Sequence, residues 1–247
     1  MKKIDLTQGK VIKVLTALAL PIMGSSLLQF TYNLIDMLWV GGLGSDSVAS
    51  IGSSSFFIGL GYSINSLVVI GTGIKVSHAI GKKDNEEVQK YINSGIAINF
   101  VIAIIYGLIL IVLGKSFISF LNLNNEVVER GSYYYLAMNA PILFFSFFNS
   151  LYTRIFSSFG NNGDSLKINA IGMIINIILD PIFIYVFKLG VLGAAVATLI
   201  ANIVMFILYR IKSNGILNYN KYVGIDKEKI LEITKLGFPM AFQRILH

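Results

Sequence analysis

The sequence predicts an all-α, polytopic membrane protein built on a lobe of six transmembrane helices, and three observations carry that prediction. Charged residues make up only 13% of the chain and hydrophobic residues 55%, where a soluble domain carries about 25% charged residues. The apolar residues fall in six long blocks, each able to cross a hydrocarbon core of roughly 30 Å at about 1.5 Å per residue. The basic residues collect in alternate gaps between those blocks, as the positive-inside rule requires of a multi-pass protein.

The blocks run over roughly residues 12–40, 47–74, 91–114, 131–153, 168–187 and 191–209. Short polar segments separate them, among them GGLGSDS, KVSHAIGKKDNEEVQK and RIFSSFGNNGDSLK. The first block follows MKKIDLTQGK, is too long for a signal peptide and has no small-residue cleavage site, so it is expected to stay in the mature protein. With the N-terminus placed in the cytoplasm, sixteen of the 20 Lys and Arg residues fall on the cytoplasmic side. Lys115, Arg130 and Lys188 fall outside, and Arg244 lies in a further segment. Both ends of the six-span unit are therefore expected to face the cytoplasm.

The segment from Ile230 repeats the opening of the first span. Ile12 pairs with Ile230, Leu15 with Ile233, Thr16 with Thr234, Leu18 with Leu236 and Pro21 with Pro239, a constant offset of 218. A second unit begun after an even number of spans keeps the orientation of the first, which is the plan of a parallel repeat about the membrane normal. The expected organisation is a membrane lobe over 1–212, a cytoplasmic interlobe loop over 213–229 and the truncated start of a seventh transmembrane helix over 230–247.

Several function classes are excluded early. The chain has no cysteine and two histidines far apart, His78 and His247, so thiolate chemistry and a histidine metal cluster are out of reach. The net charge of +7 is spread between apolar blocks rather than gathered in a patch, which argues against a nucleic-acid partner. The expected partner is the lipid bilayer, and no cofactor is implied.

Of the 13 acidic residues, only Asp36 and Asp180 lie inside apolar blocks. A carboxylate there costs at least ~2.5–3.5 kcal/mol on insertion scales, so such residues usually face a cavity and carry function. Their neighbours are polar at helical spacing. Ser25, Gln29, Tyr32, Asn33 and Asp36 make one stripe on the first span; Asn169, Asn176 and Asp180 make one on the fifth. Thr198 and Asn202 stand four apart on the sixth, and Tyr135, Asn139, Ser146, Asn149 and Thr153 recur along the fourth. Single residues of this kind serve as interhelical glue; four striped spans point to a shared wet cavity. Counted from the outer ends, Asp36, Asp180 and Thr198 share a layer roughly 6–12 Å deep. Pro21 and Pro181 free backbone carbonyls, which makes each a kink or a hinge. Gly190, Gly193, Ala194, Ala195 and Ala197 read as close-packing residues.

These residues resemble the N-terminal half of a multidrug and toxic compound extrusion (MATE) transporter. The likeness rests on LALPIMGSSLLQFTYNLIDMLWVGGLGSDSVASIG, on AIGKKDNEE, and on NIILDPIFIYVFKLGVLGAAVAT across the last two blocks. It implies half of a twelve-helix, two-lobe transporter of the plasma membrane, with export of amphipathic, often cationic compounds driven by inward H⁺ or Na⁺. It matches the family's cation site to Asp36, Asn176, Asp180 and Thr198, which would be the metal ligands if Na⁺ is the coupling ion. It matches Pro21 to a proline whose bending the family uses. Gln29, Tyr32, Asn33, Asn149, Thr153 and Asn202 are the expected cavity-lining residues, and a second six-helix lobe is the expected partner.

Three other readings compete. An intramembrane aspartyl protease would need a Gly-x-Gly-Asp signature, which neither Leu-Ile-Asp-Met nor Ile-Leu-Asp-Pro supplies. A flippase for lipid-linked oligosaccharides would need Arg or Lys within the spans, and every basic residue but Arg244 is placed at a span end or in a loop. A non-transporting membrane fragment is the third.

Overall fold

The computed structural model describes residues 11–245; within α1 and beyond Pro239 a number of side chains, including those of Pro21, Ser25, Gln29, Tyr32 and Asn33, fall outside the description. Seven α-helices follow in order: α1 (Val11–Gly41), α2 (Ser45–Gly81), α3 (Asn85–Phe120), α4 (Glu126–Ser158), α5 (Asn162–Pro181), α6 (Val191–Lys212) and α7 (Lys227–Ile245). A π-helical turn, Ile182–Val186, continues α5. No strand occurs among the described residues.

The first six helices coincide with the six expected blocks but overrun them. At 37 residues, α2 is about 55 Å long, well beyond a ~30 Å core. Its ends and those of α3 therefore stand clear of the apolar layer. Helix ends are capped there: Asp84 accepts from Glu87 N at 2.9 Å, and Asn125 accepts from Val127 N at 2.9 Å and Val128 N at 3.3 Å. Each cap satisfies amide groups that the first turn leaves unpaired. By length and composition α2, α3, α5 with its π turn, and α6 are able to cross a membrane. The centre of α4 is more polar, with Asn139, Ser146, Asn149 and Ser150, each buried or half-buried against the rest of the lobe.

The distribution of polarity is that of a membrane lobe. On α3, Val101, Ile104, Ile105, Leu108, Ile111 and Val112 form an exposed apolar face, while Ala103, Tyr106 and Leu110 turn inward. Buried polar side chains join helices instead: Asn65 Nδ2 donates to Asn99 Oδ1 at 2.6 Å, and Ser54 Oγ to Ser132 O at 2.9 Å. Such bonds bind helices where lipid offers no competing partner. Apolar packing concentrates around Tyr152, Tyr209, Ile155 and Ile92 at one end of the lobe, and around Leu110, Leu136 and Phe147 toward the other.

The lysine-rich end also holds α7. Asn93, fully buried on α3, fastens the preceding loop by donating to Asn220 O at 2.9 Å and Gly224 O at 2.8 Å. Helix α7 then crosses α2 closely at two glycines. A side chain on Gly71 would strike the backbone of Ile233, and one on Gly237 the backbone of Leu67. Around this crossing Glu232 accepts from Tyr91 Oη at 2.7 Å, pairs with Lys75, and meets Lys229 at 3.2 Å. Lys229 also reaches Glu87 at 3.3 Å and lies 4.8 Å over the Tyr91 ring. The expected interlobe loop and the start of the seventh helix are thus tied to the first lobe.

Candidate functional site

Three contacts place the opening of the site. Tyr185, on the π turn, donates its hydroxyl to Trp39 O at 2.6 Å. Val40, Ile184 and Ala194 pack together beside that bond, so the end of α1 is fixed to the π turn and to the start of α6. Gly193 lets α6 approach so closely that a Cβ there would meet the backbone of Phe183 and Ile184. Pro181 directly precedes the π turn. A ring without an N–H and a widened helical turn, a feature common at functional sites, thus occur together one residue beyond Asp180.

That geometry aligns the buried polar residues. Asp180 is 0% exposed and Asn176 2%. With its NH₂ group turned to the carboxylate, Asn176 donates to Asp180 Oδ2 at 2.9 Å and accepts from Thr198 N at 3.1 Å and Oγ1 at 3.2 Å. In the opposite orientation its NH₂ reaches Asp180 Oδ1 at 3.4 Å and Thr198 Oγ1 at 3.2 Å. Either way Asn176 bridges Asp180 to Thr198. The carboxylate of Asp36, half-buried on α1, lies close enough to Asp180 for their charges to interact. The group offers only oxygen and amide donors, a set suited to a proton or a hard cation rather than a soft metal. Among the described residues no cluster of His, Cys, Asp and Glu could hold a metal ion on its own.

From this group a ladder of hydrogen bonds runs toward the lysine-rich end. Asn202 Nδ2 donates to Thr198 O at 2.9 Å, and Asn149 Nδ2 to Asn202 Oδ1 at 3.1 Å. Thr153 Oγ1 bonds Asn149 O at 2.8 Å and meets Tyr209 Oη at 2.7 Å. Tyr209 Oη in turn reaches Asn169 Oδ1 at 3.1 Å. The ladder borders a cavity of about 710 Å³ that Asn149, Thr153, Asn169, Asn176, Thr198 and Asn202 line. Tyr209 is fully buried, so removing its hydroxyl strands partners on two helices. Tyr209→Phe is expected to lower stability by about 1–2 kcal/mol, measured as an earlier unfolding midpoint in detergent.

Of the residues singled out in the sequence, Asp36, Asn176, Asp180 and Thr198 come together, and Asn149, Thr153 and Asn202 line the adjoining cavity. Pro181 joins the π turn. Pro21, Gln29, Tyr32 and Asn33 are residues whose side chains lie outside the description. Arg154, placed at a span end, lies near the end of α4 and also lines the cavity, because α4 stays helical to Ser158 and carries the arginine along its cavity face. Tyr62 and Tyr209 were missed; aromatic residues in an apolar block give no local signal of which way they point.

The MatE family model matches residues 21–182, well over half of the chain. The chain belongs to the MatE family. A similar curated relative is the probable multidrug resistance protein YpnP of Bacillus subtilis, 27% identical over 100% of this chain and 56% of that protein. Another is the multidrug export protein MepA of Staphylococcus saprophyticus, 30% identical over 97% of this chain and 54% of that protein. Among solved structures, a MATE protein in complex with MaL6 superposes with a TM-score of 0.91 at 24% identity, covering 99% of this chain and 55% of that one. An outward-facing multidrug resistance MATE family transporter superposes with a TM-score of 0.86 at 24% identity, over 99% of this chain and 55% of that one. The chain therefore spans about half the length of the MatE relatives it matches, and its fold is that of a MATE N-terminal lobe.

Proposed function

We propose that this MatE lobe is the ion-coupling half of an antiporter that exports amphipathic, often cationic compounds across the plasma membrane in exchange for H⁺ or Na⁺. The observation that carries the reading is the buried Asp180–Asn176–Thr198 group, with Asp36 beside it, at one edge of a large polar-lined cavity. Two carboxylates in a poorly solvated pocket repel each other, and a proton or sodium ion relieves that repulsion. Occupation by the cation favours one arrangement of the lobes and substrate favours another, so each ligand promotes release of the other. In this reading Pro181 and the π turn give α5 its freedom to adjust. A second six-helix lobe closes the cavity, the lysine-rich end faces the cytoplasm, and lipid covers the apolar face of α3.

The test is transport by the full-length protein in everted membrane vesicles. Uptake of a cationic dye is expected to follow an imposed H⁺ or Na⁺ gradient and to stop when an ionophore collapses it. Uptake indifferent to both gradients overturns the coupling.

A further inference from the structure

Six residues of α4 line the cavity: Ser146, Asn149, Ser150, Thr153, Arg154 and Ser157. Their spacing follows one helical face, so α4 presents a continuous polar strip to the space where substrate would sit. Among the described residues lining the cavity, Arg154 is the one charged side chain. No carboxylate pairs with it among the described residues. Its stem lies flat against α2 at Gly73, where a Cβ would collide with it, which holds the guanidinium at the lysine-rich end of the cavity.

The opposite part of the same strip has the complementary chemistry. Asn149 is 6% exposed and its Oδ1 has no hydrogen-bond partner, so a buried acceptor stands ready for a donor. Its Nδ2 is already committed to Asn202 O at 3.0 Å and Oδ1 at 3.1 Å. Asn149 and Arg154 are five residues apart, about 7.5 Å along the axis of α4. The Asp180 group lies beyond Asn202 on the acceptor side. The cavity thus has Arg154 at its cationic pole and the oxygen-bearing side chains of Asn149, Asn176, Thr198 and Asn202 elsewhere along its wall.

We propose that Arg154 is a specificity-determining residue that holds an acidic group of the substrate, so that the lobe selects zwitterionic amphiphiles. Their cationic nitrogen sits at the Asn149 pole and their carboxylate on the guanidinium, which presents paired donors matched to a carboxylate. This refines the export reading above and rests on it.

The experiment uses a fluorescent xanthylium dye bearing a free carboxylate and the methyl ester of the same dye, which differ only in the acidic group. Binding of each to purified full-length protein in detergent is measured by fluorescence polarisation. The wild type is expected to bind the free acid about tenfold more tightly than the ester. Arg154→Gln removes that preference, with an unchanged unfolding midpoint in detergent reporting an intact fold; Arg154→Lys keeps part of the preference. Equal binding of acid and ester by the wild type, or equal weakening of both in Arg154→Gln, overturns the assignment while the cavity remains a substrate pocket. Binding of neither dye overturns the pocket reading itself.

Discussion

Asp180→Asn is expected to weaken ion-driven export severalfold or more while leaving the lobe folded. The substitution keeps the shape of the side chain and an oxygen for the Asn176 NH₂ group, now 2.9 Å from Asp180 Oδ2. It removes the charge that would take up the coupling cation. Because Asp180 is 0% exposed, water cannot replace that charge, and a neutral amide there also relieves the cost of burying a carboxylate. Coupling energies of this kind usually span 1–3 kcal/mol, so gradient-driven uptake should fall by roughly 5–150-fold. Dye binding should persist, since the cavity wall of α4 and α6 is untouched. Asp36→Asn should act in the same direction. Export and ion dependence that survive in both variants would remove the two carboxylates from the mechanism.

The second large effect concerns α7. Glu232 is held by Lys75 and by Tyr91 Oη at 2.7 Å, with Lys229 at 3.2 Å. The Lys75 ammonium first, and then the Tyr91 hydroxyl, draw its carboxyl from the ordinary 4.5 down to about 2. Glu232→Gln leaves Lys75 and Lys229 crowded around the same tyrosine with their shared counter-charge gone. Charge-assisted bonds are worth about 1.5–3 kcal/mol when sheltered. These side chains keep 24%, 27% and 16% exposure for Lys75, Glu232 and Lys229, so solvent screening reduces the sum to about 2 kcal/mol. That loss corresponds to about a 30-fold rise in hydrogen exchange of the α7 amides. Unchanged exchange would mean that the Gly71 and Gly237 crossing alone holds the helix.

The pH dependence of that anchor follows from the direction of the shift. A carboxyl whose value is depressed by folding stabilises the folded state at pH values above its unfolded 4.5 and loses that contribution as the pH falls towards about 2. Docking of α7 is therefore expected to be insensitive to pH near neutrality and to weaken only in the acid range. Thermal unfolding in detergent across that range, with Glu232→Gln as the pH-insensitive reference, measures it.

Asp36 and Asp180 stood out because a charge in an apolar block has no cheap explanation, and Asn176, Thr198, Asn149 and Asn202 followed from helical periodicity. That Arg154 lines the cavity was not legible, because hydropathy marks where a block loses its apolar character and not where the helix ends. Polar residues on a helix that faces a cavity look like the start of a loop. The clamp between Asn93 and the loop before α7 carries no local pattern, since its partners are backbone carbonyls more than a hundred residues away.

By itself the sequence determined the class of the molecule, the number of helices in the lobe, which end is basic, and which polar residues stand inside the spans. These are properties of composition and of periods along one chain, and burial in lipid writes them directly into residue choice. Only the tertiary structure decided that Asn176 bridges Asp180 to Thr198, that Arg154 faces the same cavity as Asn149, and that α7 is bound to α2 through two glycines and Glu232. Each of those depends on how far two helices approach and how each is rotated. The Tyr185 bond to Trp39, the missing side chain of Gly193 and the π turn after Pro181 set those approaches, through contacts between residues that are distant in the chain.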